Sequence, residues 1–407
     1  MRGRDIVVIG IQPWDISIGS NCKNIAIEFS KHNRVLYVNE PLNRISSIRE
    51  SREEWVKKRK RIINNKESHL ENVKKNFWAF YPQKLVESIN WIPDGPIYDK
   101  LNYRNNKLFY SEINRAIHAL GFKDIILFND SLISLGFYST EFLRPSISIY
   151  YIRDNLTSQP YFAKHGLRLE PKLAGKYDAV VANSDYLANY LKKHNKYSYM
   201  VGQGCDLALF DMEKKRKCPE DLKMEGPIVG YVGYLTSIRL DIELLEYFAR
   251  ECPNLNLVLV GPEDKDFESS ELHNYPNVYF LGNKKGESLP DYIGHFDVCI
   301  NPQIVNEMTV GNYPRKIDEY LAMGKPTVAT YTDTMDYFKD FVYLSHTKVE
   351  FVNYINKALQ EDNSSDKIER SEFAKSHSWE NNVNNIYEVM HDITRKSEAT
   401  AKSSSLF

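Results

Sequence analysis

The chain has 407 residues, 42% hydrophobic and 26% charged, which fits a globular protein of two or three domains, each with its own core. Its 53 basic and 54 acidic side chains give a formal net charge of −1, which excludes a global nucleic-acid footprint. The five cysteines are scattered and odd in number, and the histidines show no metal-ligand spacing, so a reducing, cytoplasmic compartment is expected rather than a disulfide framework or a zinc site.

Residues 5–11 (DIVVIGI) form a continuous apolar run, as expected of a strand buried on both faces and not of a cleaved leader. A loop with Trp14, Asp15 and Gly19 follows, then a helix over 24–31 and a strand over 34–39. This order opens a parallel α/β sheet. Residues 44–75 carry eleven Lys or Arg against five Glu. Two readings stay open there: a helix resting on an anionic membrane surface, or a solvated charged helix or flexible insertion. Further strands are expected at 77–81, 125–129, 146–151, 177–183 and 198–201, with helices at 105–120 and 185–193. Arg153 and Asp154 lie just beyond the strand at 146–151, where open α/β sheets place ligand sites. Asp154 is a candidate base, with a helix cap or a bond to Arg153 as the other reading.

The charged, strandless stretch at 213–226 puts a domain boundary at about residue 210. A second α/β series follows, with strands at 228–233, 256–261, 277–281, 297–301 and 341–344. Asp264-Lys265-Asp266 is formally a D-x-D string, but it lies in an acidic loop and no metal is expected there. The informative stretch is 311–330, GNYPRKIDEYLAMGKPTVAT. Pro314 suits a first helical position, and Gly324 with Pro326 ends the helix before a strand at 327–330. Lys316 and Glu319 share one helix face, so the helix start with Lys316 suits phosphate and Glu319 suits ribose hydroxyls. An ordinary helix–strand unit with a Lys–Glu pair fits the same spacing. No segment approaches the ~18 apolar residues of a spanning helix.

Five ordered segments carry a likeness: the Trp14-Asp15…Gly19 loop, DAVVANSDYLANYL at 178–191, GQGCDLALF at 202–210, GYVGYLTSIRLDIELL at 230–245 and NYPRKIDEYLAMGKPTVAT at 312–330. Together the chain resembles a glycosyltransferase of the GT-B architecture, close to the family 4 type (glycosyltransferase group 1). The segment YIRDNL at 151–156 is more loosely similar to bacterial glucuronosyltransferases that act on lipid-linked sugars.

The resemblance implies two Rossmann-like domains with parallel sheets facing across a cleft. It places an acceptor domain at 1–210, a donor domain at 211–375, a C-terminal helix at 376–396 packing back on the first domain, and a disordered tail at 397–407. It implies transfer of a sugar from a UDP- or GDP-sugar to a glycan acceptor, or to a lipid-linked one, in bacterial surface polysaccharide synthesis. No cofactor is implied, and the chain would sit in the cytoplasm or on the inner face of the plasma membrane. A sugar-nucleotide 2-epimerase and a non-catalytic relative are the alternatives. Donor contacts carry over to Gly233, Arg239, Asn312, Tyr313, Pro314, Lys316 and Glu319, and acceptor contacts to Trp14, Asp15, Gly19 and Arg153. Asp154 matches the catalytic base of the looser likeness. Arg239 also reads as a surface charge or a bridge to Asp241, and Trp14 with Asp15 as a loop staple and core packing. Two features depart: Gly311 stands where the family often has a first glutamate linked to the donor sugar, and only Arg239 stands for the usual basic pair of the first donor loop.

Overall fold

The structure is a computed structural model that describes residues 1–16 and 19–404, the side chains of 397–404 excepted. Two compact units divide it: Met1–Gly202 with the chain from Asn382 onward, and Gln203–Asn381. The division falls before the boundary expected at about 210.

In the first unit the strands are β1 (Asp5–Gly10), β2 (Arg34–Val38), β3 (Leu70–Lys74), β4 (Phe77–Phe80), β5 (Ile126–Asp130), β6 (Ile147–Ile152), β7 (Ala179–Ala182) and β8 (Ser198–Met200). They form one sheet in the order β3-β4-β2-β1-β5-β6-β7-β8. Every neighbour pair is parallel except β3 with β4. Parallel strands carry helical crossovers on both faces, so β1, β5 and β6 are buried along their whole lengths. β3 (LENVK) is the charged, largely exposed edge, a composition that discourages further strand pairing.

The 44–75 stretch is ordered throughout: helices Arg44–Arg49 and Glu54–Ile63 precede β3. The second helix docks through Val56, Arg59 and Ile62. The flexible-insertion reading therefore does not hold. At the other end of the chain, helix Trp379–Ser404 runs well past 396, so the polar 397–404 stretch is helical where disorder was expected. Residues 405–407 lie outside the described residues. This helix completes the first unit: Asn33 donates to the Tyr387 hydroxyl (2.8 Å), and Tyr387 packs on Phe29.

The second unit holds β9 (Ile228–Val232), β10 (Asn256–Val260), β11 (Val278–Phe280), β12 (Val298–Asn301), β13 (Thr327–Thr330) and β14 (Tyr343–Ser345). They form a parallel sheet in the order β11-β10-β9-β12-β13-β14. Alternate residues feed two cores. Ile228, Val232, Val258 and Cys299 pack on one face, and Val229, Leu257, Leu259 and Val298 on the other. Each such fully buried apolar side chain contributes about 1.5–3 kcal/mol relative to exposure.

Candidate functional site

Open parallel sheets create a crevice where successive crossovers turn in opposite directions, beyond the carboxyl ends of the strands. In the second unit this point lies between β9 and β12. The helix Arg315–Ala322 borders it. Ile317, Tyr320 and Leu321 anchor that helix in the core, and the Val232 amide donates to the Tyr320 hydroxyl (2.9 Å). Gly324, at φ 69°, ends it: its amide bonds Leu321 and that of Lys325 bonds Tyr320, which satisfies the last carbonyls. Pro314 occupies the cap rather than the first helical position.

This packing carries Lys316 to the end of β9. Its ammonium donates to the Tyr231 hydroxyl (2.8 Å), lies 4.6 Å from that ring's centroid, and makes no ion pair among the described residues. Gly233, at φ 149°, brings bare backbone beside it: a Cβ there would stand 3.1 Å from Lys316 Nζ and 2.9 Å from the Tyr231 hydroxyl. Gly261 closes the other side, since its Cβ would lie 1.8 Å from the Gly233 carbonyl oxygen. Glu319 is buried and accepts from Arg315 Nε (3.0 Å). Burial pushes its carboxyl above the usual range against the pull of Arg315 and Lys316.

The Arg239 loop is stitched to the same edge. Leu235 donates to Pro262, Asp241 to Pro302, and Ile304 to the Arg239 carbonyl (each 2.9 Å). Asp264 fixes this loop from the side by accepting from the Ser237 amide (2.8 Å), while it caps its own helix at Phe267. The first aspartate of the D-x-D string is thus occupied by backbone. Asn312 donates its amide to Thr309 (3.0 Å) and so holds the loop that enters the helix. Tyr313 is buried: it packs on Phe338 and donates to Asp318 (3.1 Å), so its side chain is engaged within the core.

In the first unit the corresponding point lies between β1 and β5. Asp130 ends β5 with no exposed surface. The β5–β6 register pairs it with Tyr151, so Arg153 projects just beyond and donates from Nε to Asp130 (3.0 Å). The same guanidinium reaches Asp154 at 3.4 Å. Burial holds Asp130 above the usual carboxylate range, while the Asp130 charge raises Arg153 further. Gly10 ends β1 against this pair: a Cβ there would stand 3.0 Å from Asp130 Cβ and 3.1 Å from Cys22 Sγ.

The acceptor-side loop residues are held differently. The Trp14 ring packs on Phe77 and Tyr37, at 4.6 and 5.4 Å between centroids. Asp15 accepts from Arg59 (2.8 and 3.0 Å) and pairs with Lys58 (3.2 Å). Burial alone would raise its carboxyl, but the hydrogen bonds and charges of Arg59 and Lys58 outweigh that and hold it low. Gly19 has open space around it and precedes Ser20, which caps helix Asn21–Phe29. Sequence reading missed Tyr231, Gly261 and Asp130, while Arg315 lies in the helix start it singled out. The signals were a glycine ending an apolar strand at Gly261 and a lone acid ending another at Asp130.

Residues 226–361 match the family model for Glycosyl transferases group 1. Solved structures align over nearly the whole chain. Sucrose-phosphate synthase of Thermosynechococcus elongatus aligns at TM-score 0.67 and 15% identity, over 97% of this chain and 100% of that one. An α,α-trehalose-phosphate synthase (UDP-forming) of Burkholderia vietnamiensis gives 0.68 and 9%, over 97% and 100%. Anabaena Alr3699/HepE in complex with UDP gives 0.65 and 15%, over 95% and 100%. The fold is that of the GT-B glycosyltransferases. The group 1 likeness of the sequence rests on the GT-B domain spanning β9 to β14. By sequence, the chain is also 27% identical over 241 residues to TuaH of Bacillus subtilis (strain 168), named for a glycosyltransferase role in teichuronic acid biosynthesis. That match covers 56% of this chain and 60% of TuaH's length.

Proposed function

We propose that this protein is a nucleotide-sugar-dependent glycosyltransferase that extends a glycan acceptor during synthesis of a bacterial surface polysaccharide. One observation carries the reading: the Lys316 ammonium rests on a neutral tyrosine beside the bare backbone of Gly233, at the switch point of the second sheet. The group 1 match over this domain, the UDP complex of a similarly folded protein and the name of the 27%-identical relative support it.

Cleavage of a sugar–diphosphate bond builds negative charge on the leaving phosphates and positive charge on the anomeric carbon. Positioned cations near dry backbone stabilise such a leaving group without reorganising. Lys316, Arg315 and Arg239 are the cations for this task. Glu319 suits the ribose hydroxyls once Arg315 turns from its carboxylate toward phosphate. On the acceptor side, Asp154 can take the hydroxyl proton in an inverting course, with Arg153 fixing its orientation. A retaining course needs no protein base there. Gly311 leaves the sugar itself to Glu307 or to backbone amides near Asn312. The finer reading is a lipid-linked acceptor met at a membrane surface, with no helix among the described residues long and apolar enough to cross a membrane.

Calorimetric titration with UDP- and GDP-sugars tests the donor site. Lys316→Ala should weaken binding by about 1.5–3 kcal/mol, the worth of a hydrogen bond to a charged group. Glu319→Ala should weaken it less. Unchanged affinity in both variants would sink the assignment. Product analysis then separates activities: epimerised sugar and UDP without any acceptor would mark an epimerase, and binding without turnover a non-catalytic protein.

A further inference from the structure

A hydrogen-bonded chain of acid, imidazole and phenol stands on the core side of helix Arg315–Ala322. Asp318 lies two residues after Lys316 on that helix and has no exposed surface. Its Oδ1 meets His377 Nδ1 at 2.7 Å and accepts from the Tyr313 hydroxyl (3.1 Å). The other ring nitrogen of His377, Nε2, lies 2.9 Å from the Tyr337 hydroxyl. Tyr337 comes from the turn Asp333–Phe338 after β13, and His377 from the segment that follows helix Ser364–Lys375. Backbone packing fixes the imidazole. The Cys205 amide donates to the His377 carbonyl (2.7 Å), and a Cβ on Gly204 would stand 2.3 Å from the Trp379 ring, so the two segments lie against each other. The His377 ring also meets Phe373 edge-on, at 4.6 Å between centroids. All of these residues belong to the second unit.

A buried carboxylate is costly without a cation. His377, itself only 6% exposed, is the one ion-pair partner of Asp318 among the described residues. Asp318 Oδ2 has no hydrogen-bond partner among them, so Oδ1 carries the whole contact. Arg315 and Glu319, bonded to each other, are the charges beside the pair on the helix. Burial pushes the Asp318 carboxyl above the usual range, and the hydrogen bond and charge of His377 pull against it. Two further groups face the pair and stay neutral near neutral pH: burial, and after it the Asp318 charge, push both the Cys205 thiol and the Tyr313 hydroxyl up. The Tyr337 hydroxyl can accept from a protonated Nε2 or donate to a bare one, so the site keeps its hydrogen bonds in both states. Tyr337 is 41% exposed, so the chain ends at solvent.

We propose that Asp318 and His377 act together as a positioning pair for the donor, setting the charge that the Arg315–Lys316 helix start presents to a diphosphate. Asp318 lies within the same helical turn as both cations. A carboxylate with an imidazolium sums to zero, and loss of the Nε2 proton to solvent leaves a single negative charge on the pair. The neutral pair leaves the two cations and the helix start at full strength, while the charged pair opposes a diphosphate. A bound diphosphate therefore favours the protonated pair, and donor binding takes up a proton by linkage. The proposal deepens the donor reading of Lys316 and rests on it. Both residues act through the helix and not by contact with the donor.

The test is calorimetric titration of the full chain with UDP-glucose and GDP-mannose between about pH 5 and 8, where histidine titrates. The diphosphate of these probes is a diester with no ionisation in that range, so any pH dependence belongs to the protein. Wild-type affinity should fall by about three- to tenfold from the acid to the alkaline end. Titrations in two buffers of different ionisation enthalpy should show proton uptake on binding. His377→Asn keeps an amide donor toward Asp318 but cannot titrate, so it should bind throughout as weakly as the wild type at the alkaline end. Asp318→Asn removes the negative charge, so it should bind throughout as tightly as the wild type at the acid end. A merely structural bond would weaken binding in both variants and leave proton uptake unmoved. Wild-type binding without proton uptake overturns the proposal and needs no variant to show it. A change in the same direction in both variants overturns it too, as does uptake that survives in both and vanishes in Glu319→Gln, which would assign the proton to Glu319. The donor reading fails by other signs: no wild-type binding to either probe, or unchanged affinity in both Lys316→Ala and Glu319→Ala. Either of those ends this proposal as well.

Discussion

The two sheets end in the same topology and opposite electrostatics. At the edge of the first, Arg153 lies between Asp130 and Asp154, so its charge is spent inside the protein. At the edge of the second, the Lys316 ammonium rests on the neutral Tyr231 hydroxyl, so its charge is available to a ligand. Buried ion pairs hold geometry, while a cation on a neutral partner attracts anions. The proposed donor reading draws on this difference, since it asks only the second edge to hold a diphosphate. The strand-end glycines repeat the contrast. Gly10 makes room for the Asp130–Cys22 cluster, and Gly233 makes room for the lysine head.

The largest expected effect breaks the first edge. Asp130→Ala leaves the Arg153 guanidinium without its main partner in a largely buried site, and such a change destabilises by about 3–5 kcal/mol. Chemical denaturation of the variant measures this loss. Lys316→Ala removes only a bond to a neutral hydroxyl, so it should spare stability while it weakens the donor. The contrast fails if Lys316→Ala unfolds the protein, or if Asp130→Ala stays as stable as the wild type.

The intermediate effect compares the glycines. Gly233→Ala forces an alanine into a strained φ of 149° and crowds Lys316, so a stability loss of about 1–3 kcal/mol should accompany weaker donor binding. Gly10→Ala meets Asp130 and Cys22 instead, and should lower the melting temperature without changing donor affinity. Melting curves and calorimetry on the pair decide it: equal loss of donor binding in both variants would remove the distinction between the edges.

Much of this was legible beforehand because buried parallel strands read as apolar runs, and β1, β9 and β10 are such runs. β3 was missed because LENVK is a charged edge with no alternating pattern. Helix Pro160–Ala174 was missed because Gly166 and Pro171 interrupt its periodicity, although its buried face is regular at His165, Leu169 and Leu173. Lys316 and Glu319 stood out by spacing, but the Arg315–Glu319 pair competes one residue away and only coordinates show which cation the carboxylate holds. Tyr231 looked like any buried strand residue, since nothing local tells that its hydroxyl emerges at the strand end. The Asp130–Arg153 pair needed the β5–β6 adjacency, which is a property of topology and not of either segment.

The smallest effect sharpens the comparison through pH. Glu40, two residues past β2 at the first edge, has its carboxyl pushed up to about 7 by burial. A carboxyl raised above its unfolded value of 4.5 binds its proton more tightly in the folded state. Its favourable contribution is complete below about pH 4.5 and is lost as the pH rises through about 7. Glu40→Gln keeps the shape and removes the charge, so it should leave stability near pH 4 unchanged and raise it near pH 8 by about 1 kcal/mol, discounted for partial exposure. Denaturation midpoints for both proteins across this range test the sign. A variant that is less stable than the wild type at pH 8 would mean that the ionised carboxylate has a favourable partner at this edge. The first edge would then hold a further ion pair in place of a carboxyl kept neutral by burial.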